Sequence, residues 1–310
     1  MIYLPSRFAQ ARIDMPSFGM KNLFVFHTHA TDGNGNVIPG TKRLRGMAEE
    51  HGGSPNLITN TGLDLIGTGN DIGACVVGTG STAPANTDTA LVAQVGTTNT
   101  LISAVTSYNV GPPEYGQRSS IYRFAAGVAA GNITEVGVKS SASLYARALI
   151  LDGVGAPTTI VVGATEALDV TYIQRIIPPA ADATGSVVIN SITYGWVARP
   201  SNVGSWMNCI SGIYVAGGLS LTGYTGAIGA RASSPGGSTS GSAVVANAYT
   251  PGSKTRSYVG TFPIGSATFT STAVALNAQA FWQFSFDSGG VPKLASQTLA
   301  LTLFNSWDRA

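Results

Sequence analysis

Leu168-Asp169-Val170-Thr171-Tyr172-Ile173-Gln174-Arg175-Ile176 opens on alternation: Leu168, Val170 and Tyr172 fall on one face, opposite Asp169 and Thr171. Successive side chains of an extended backbone point to opposite sides, so a period of two marks a strand with one face buried. The signal recurs at short spacing toward both ends. Ile121 to Ala125 reads as a strand, and Ile133 to Val138 as another, with Glu135 set between apolar neighbours. Leu144 to Leu151 runs into the turn signal Asp152-Gly153 and Thr158 to Val162 returns, which predicts a hairpin. Val187 to Val197 is a further pair of runs, bending near Asn190. Phe281 to Phe286 followed by Asp287-Ser288-Gly289-Gly290, then Leu299, Leu301 and Leu303 alternating with Thr298, Ala300 and Thr302, predict a closing hairpin.

Other segments complete an all-β outline with little helix. Ala74 to Gly78 reads as a buried strand, and Asp88 to Val95 as either a helical turn or a strand. Asn56 to Ile66 carries capping residues ahead of an apolar pattern and predicts one short helix. Residues 229–243 are mostly Gly, Ser, Ala and Pro, the composition of a flexible loop. The expected architecture is one or two β-sandwiches: residues 54–200 as one, and residues 201–310 as its continuation or a second β subdomain.

Composition agrees and adds a clue. Gly is 39 of 310 residues, without the period of collagen, and apolar residues are 44%. Lys, Arg, Asp and Glu together are only 10%, against roughly 25% in ordinary soluble domains. A surface so poor in charge tends to associate, and no apolar run is long enough for a spanning helix. Coverage by neighbouring chains explains the deficit, so a homo-oligomer is expected, with no membrane insertion. The net charge is +2 and the only basic block is Lys42-Arg43-Leu44-Arg45, which does not support nucleic-acid binding. Cys75 and Cys209 are too few for a disulfide framework and read as buried free thiols. Met1 to Arg7 lacks the apolar core of a signal peptide, so the chain is expected to be made and first used in a cytoplasm.

Residues 1–53 differ in texture. They hold all three histidines, the turn Asp32-Gly33-Asn34-Gly35-Asn36 and few alternating runs. They read as an extended N-terminal docking arm with little core of its own. Phe18, Leu23, Phe24 and Phe26 need burial, and Lys42, Arg43 and Arg45 form a local charge cluster, so the expectation is attachment to another protein.

Catalytic signals are weak. All histidines lie in that first segment and no G-x-S-x-G occurs, so a serine nucleophile has no base beside it. No G-x-G-x-x-G or Walker loop is present, and no cofactor is implied. His27 and His29 share a strand face near Asp32 and could hold a metal, or could be ordinary strand and turn histidines. Glu135, Asp152, Glu166 and Asp169 are the candidates for a glycosidase pair. The competing expectation for Glu135 is a buried ion pair with Arg123 or Arg147. Tyr108, Tyr115, Trp206 and Tyr224 lie in loop-like segments and could bind sugar or fill subunit interfaces.

Asn56-Leu57-Ile58-Thr59-Asn60-Thr61-Gly62-Leu63, then Cys75-Val76-Val77-Gly78-Thr79-Gly80-Ser81-Thr82-Ala83-Pro84 and Asp88-Thr89-Ala90-Leu91, resemble the opening of a group of tailed-bacteriophage virion proteins. These are tail-fibre or tail structural proteins. Tyr122-Arg123-Phe124-Ala125-Ala126-Gly127, Gly131 to Val138, Leu144 to Ala148, Leu168 to Tyr172 and Ser306-Trp307-Asp308-Arg309 continue the resemblance. It covers roughly residues 54–180 and the last thirty. It implies a structural subunit of the virion tail: a short fibre, a fibre-anchoring piece, or a collar or baseplate part. It also implies a trimer, other virion tail proteins as partners and no catalytic residues. A module for host surface polysaccharide, or a capsule-degrading hydrolase, are the alternatives.

Overall fold

The computed structural model describes residues 8–310 except 16, 70, 190, 202–218, 232, 266–270, 277–278, 288–292 and 294–295. Cys209, Trp206, Asn190 and the turn Ser288-Gly289-Gly290 lie outside the described residues, as does Met1 to Arg7. The chain is mostly β. It opens with β1 (Phe8–Asp14), β2 (Phe18–Ala30), β3 (Arg43–Arg45), a 3-10 turn (Glu49–His51), β4 (Ser54–Pro55), β5 (Leu57–Ile58) and an α-helix, α1 (Asn60–Thr68). Next come β6 (Ala74–Gly78), β7 (Gln94–Thr98), β8 (Leu101–Asn109), β9 (Tyr115–Phe124), β10 (Gly131–Ile133), β11 (Glu135–Ser140), β12 (Ser143–Leu149), β13 (Ile160–Val162) and β14 (Glu166–Ile177). The last part holds β15 (Ala183–Ile189), β16 (Ile192–Pro200), β17 (Leu219–Tyr224), β18 (Ser238–Ala246), β19 (Thr255–Phe262), β20 (Ser271–Leu276), β21 (Gln279–Phe286) and β22 (Thr298–Arg309).

One long sheet runs β15-β16-β21-β20-β17-β18-β19-β22-β2-β14-β9-β8. Its β2-β14-β9 part packs against a smaller sheet, β5-β12-β11-β6-β7, in a sandwich, and β8 extends beyond that packing. Phe24, Phe26, Phe124, Leu168, Val170 and Tyr172 come from the first layer; Cys75, Val77, Val136, Val138, Ala146 and Ala148 come from the second. All are buried, and each fully buried Phe contributes about 1.5–3 kcal/mol of transfer free energy. The remaining strands of the long sheet curl around a second part of the core that includes Trp196, Leu221, Tyr258, Phe262, Trp282, Phe284 and Leu301. β1 pairs with β22 in parallel and also comes alongside β15, so the curl nearly closes.

Local chemistry sets α1. The Thr59 hydroxyl caps its start by accepting the Gly62 N–H at 2.9 Å, and Gly69 ends it in the left-handed region at φ 74°. Gly62 lies so close to the Tyr145 carbonyl that a Cβ would overlap it. The Trp307 indole N–H donates to the Leu63 carbonyl at 3.0 Å, tying β22 to the helix. No helix among the described residues is long and apolar enough to cross a membrane.

Several expectations are corrected. The segment 1–53 is extended, but the surface that buries it belongs to its own chain. β2 lies between β14 and β22, pairing with β14 from Gly19↔Ile177 to Ala30↔Glu166. Phe18, Leu23, Phe24 and Phe26 are each at most 2% exposed, so they are not available to a partner. Strands β15 and β16 join the C-terminal strands, β16 pairing with β21. The closing hairpin does not form: β21 pairs with β16 and β20, while β22 pairs with β19, β1 and β2. The turn expected around Asp152 does form, with an antiparallel bridge of Leu151 and Pro157 and the Thr158 N–H donating to the Ile150 carbonyl at 2.8 Å, and the strands then part, β12 joining β11 and β13 joining β10. The Gly/Ser-rich stretch 229–243 is partly strand, because β18 begins at Ser238.

Candidate functional site

Glu135 and Arg147 form the most enclosed charged site. Both sit on the small sheet, where Arg147 on β12 is the register partner of Gly137 on β11. Glu135 is 0% exposed, Arg147 is 1% exposed, and a guanidinium nitrogen lies 3.1 Å from Glu135 Oε2. The carboxylate also accepts the N–H groups of Gly80 at 3.1 Å, Val92 at 3.1 Å and Ala93 at 2.8 Å. Arg147 donates to Asp88 Oδ2 and to the Thr82 carbonyl, each at 2.7 Å. These bonds pin the loop from Gly78 to Ala93 across the sheet, above the small cluster of Val76, Leu91 and Leu144. Asp88 is the member that sequence reasoning missed. Its position in a turn-rich stretch gave no sign that an arginine 59 residues later would reach it.

Arg123, the other arginine considered for Glu135, goes elsewhere. It makes two hydrogen bonds of 2.7 Å to Asp169, its register partner on β14. His29 Nε2 lies 2.9 Å from the same carboxylate without the alignment of a hydrogen bond. His27 is the register partner of Asp169 on β2. Burial, and then the charge of Lys42, hold the His27 imidazole below its usual range. Asp32 stays apart in its own turn, accepting the N–H groups of Asn34 and Asn36. Among the described residues no three His, Cys, Asp or Glu side chains are grouped to hold a metal. Burial pushes the Cys75 thiol up, so it stays protonated in the core.

Each of the four carboxylates considered for glycoside chemistry is held by its own neighbours. Glu135 is saturated and closed off from solvent. Asp169 is paired. Asp152 accepts the N–H groups of Val154 and Ala156 within its exposed turn, and Glu166 accepts the Gly163 N–H and lies 3.4 Å from Arg45. A cleft of about 340 Å³ between Pro112, Pro113, Ile177 and Pro178 has Glu114 and Arg231 on its wall, and these bind each other at 2.6 Å.

Of the basic cluster, Lys42 and Arg43 are exposed, whereas Arg45 bonds Thr28 and Glu166. Tyr115 stacks under Arg175 at 4.8 Å, Tyr224 lies within β17, and Tyr108 stands exposed on β8. Exposed apolar side chains elsewhere include Val92, Val95, Val161, Val188 and Val245. Comparison with protein families, with curated proteins and with solved structures returned no match.

Proposed function

We propose that this chain is a structural subunit of a bacteriophage virion tail, acting by assembly and not by catalysis. It would be a short fibre, a fibre-anchoring piece, or a collar or baseplate part, put together in the host cytoplasm. The observation that carries the proposal is where the few charges go. Arg118, Arg123, Arg147, Arg175, Arg199 and Arg231 are all spent on acids of the same chain, while Val105, Tyr108, Val188 and Val245 stand 59–67% exposed. A surface left apolar and nearly neutral is suited to coverage by other subunits. The resemblance of residues 54–180 to tail proteins supplies the setting, and the trimer with it. With the aromatic residues of β2 buried, the exposed Lys42, Arg43 and Leu44 remain, among the described residues, available for contact with another tail protein.

Sedimentation of the purified chain at micromolar concentration tests the assembly, and a dominant 31.7 kDa species would overturn it. Antibody against the chain should label the tails of intact particles. A second reading, a module for host surface polysaccharide, is favoured by exposed Tyr108 alone. It predicts that purified chain binds isolated polysaccharide and that Tyr108→Ala does not.

A further inference from the structure

β8 ends the long sheet. β9 lies along one side and, among the described residues, no strand lies along the other. The strand is open on both faces, with Leu101 44%, Ile102 42%, Val105 60% and Tyr108 63% exposed. An edge of unpaired N–H and C=O groups is a template for another strand, and proteins normally block it with lysine, proline, an inward charge or a bulge. From Leu101 to Val110 there is no charge and no proline, and the one irregularity sits at the start, between Leu101 and Ser103. The rest of the edge is left unblocked.

The sequence of the edge says which strand fits it. Read outward from Val105, Ala104 mirrors Thr106, Ser103 mirrors Ser107, and Ile102 mirrors Tyr108. Two copies run antiparallel about a twofold axis through Val105 would set valine against valine, alanine against threonine and serine against serine over the regular stretch Ser103 to Ser107. Cross-strand pairs of these kinds contribute roughly 0.2–1 kcal/mol each, and a twofold contact requires this self-matching of positions. An uncharged strand also meets its own copy without repulsion.

We propose that Leu101–Asn109 pairs antiparallel with the same strand of a second copy, centred on Val105, so that one sheet continues across two chains. The proposal rests on the assembly reading but is narrower than it. A twofold of this kind joins dimers, or links two trimers into a dihedral hexamer.

Two variants of the full chain test it. Val105→Lys places like charges at the axis and should lower the sedimenting mass at least twofold, with an unchanged far-ultraviolet spectrum because Val105 is exposed. Val105→Cys should give a covalent dimer with a short bifunctional maleimide. Ile102→Cys, about 20 Å from its own copy at roughly 3.4 Å per residue, and the unsubstituted chain should not. Failure of either result in an oligomeric protein overturns the pairing and leaves assembly standing through another surface. A monomeric unsubstituted chain overturns both.

Discussion

Arg123 and Asp169 face each other across β9 and β14 and are joined by two hydrogen bonds of 2.7 Å, so the buried partner of Glu135 is Arg147, which also holds Asp88. Register makes this choice. Arg123 is level with Asp169, whereas Arg147 lies beside Glu135 on the other sheet, two register steps away. The consequences can be measured.

Glu135→Ala strips Arg147 of its buried partner and leaves three N–H donors unpaired. Breaking such a pair typically costs about 3–5 kcal/mol. The urea midpoint should fall accordingly, with the slope of the transition unchanged. A midpoint within error of the unsubstituted chain would show that the loop from Gly78 to Ala93 is held by other contacts.

Gly62→Ala pits two effects against each other. Alanine improves helix propensity by about 1 kcal/mol, but its methyl group would overlap the Tyr145 carbonyl. Overpacking costs about 1–3 kcal/mol, and a backbone neighbour gives way poorly, so net destabilisation is expected. Thermal melting checks the sign, and a raised melting temperature contradicts the close approach of α1 to β12.

A chain beginning at Gly53 should fail to fold. It lacks β1 and β2, so β14 and β22 lose a partner edge and the core loses Phe18, Phe24 and Phe26. Circular dichroism and solubility of the expressed fragment decide it. A cooperative melt of the fragment would restore the first 53 residues to the status of a separable arm.

Acid should weaken the fold partly through His27. Its folded value is depressed by burial and Lys42, while the unfolded chain titrates near about 6.5. Between these two values the unfolded state binds more protons. Stability is therefore full above about 6.5 and is lost as the pH falls through that window. His27→Gln should lose less melting temperature between pH 7.5 and 5.5 than the natural chain. Equal losses would assign the acid response to other groups.

What could be read in the sequence was local. The short helix within Asn56 to Ile66, the alternation from Leu168 and the buried Glu135 all follow from neighbours a few residues apart. Partner choice did not, because it is decided by strands far apart in the chain: β21 looked ready to turn into β22, yet β16 and β20 claim it. The first segment was misread for a different reason. Phe24-Val25-Phe26 shows no alternation because β2 is covered on both faces, Phe24 and Phe26 by the sandwich core and Val25 by a second cluster with Leu23 and Ile173. A strand buried on both sides reads as an unbroken apolar run. The Asp88 contact and the open edge of β8 had no local signature beyond the absence of charge.

The parallel union of β1 with β22, from Phe8↔Thr298 to Asp14↔Phe304, joins strands 290 residues apart in the sequence. On the ribosome, β1 and the β22-facing side of β2 stay unsatisfied until residue 309 has emerged. Pairing across almost the whole length closes a very large loop and is slow. A polypeptide released early therefore carries an open seam where β22 belongs, which chaperones and proteases can recognise.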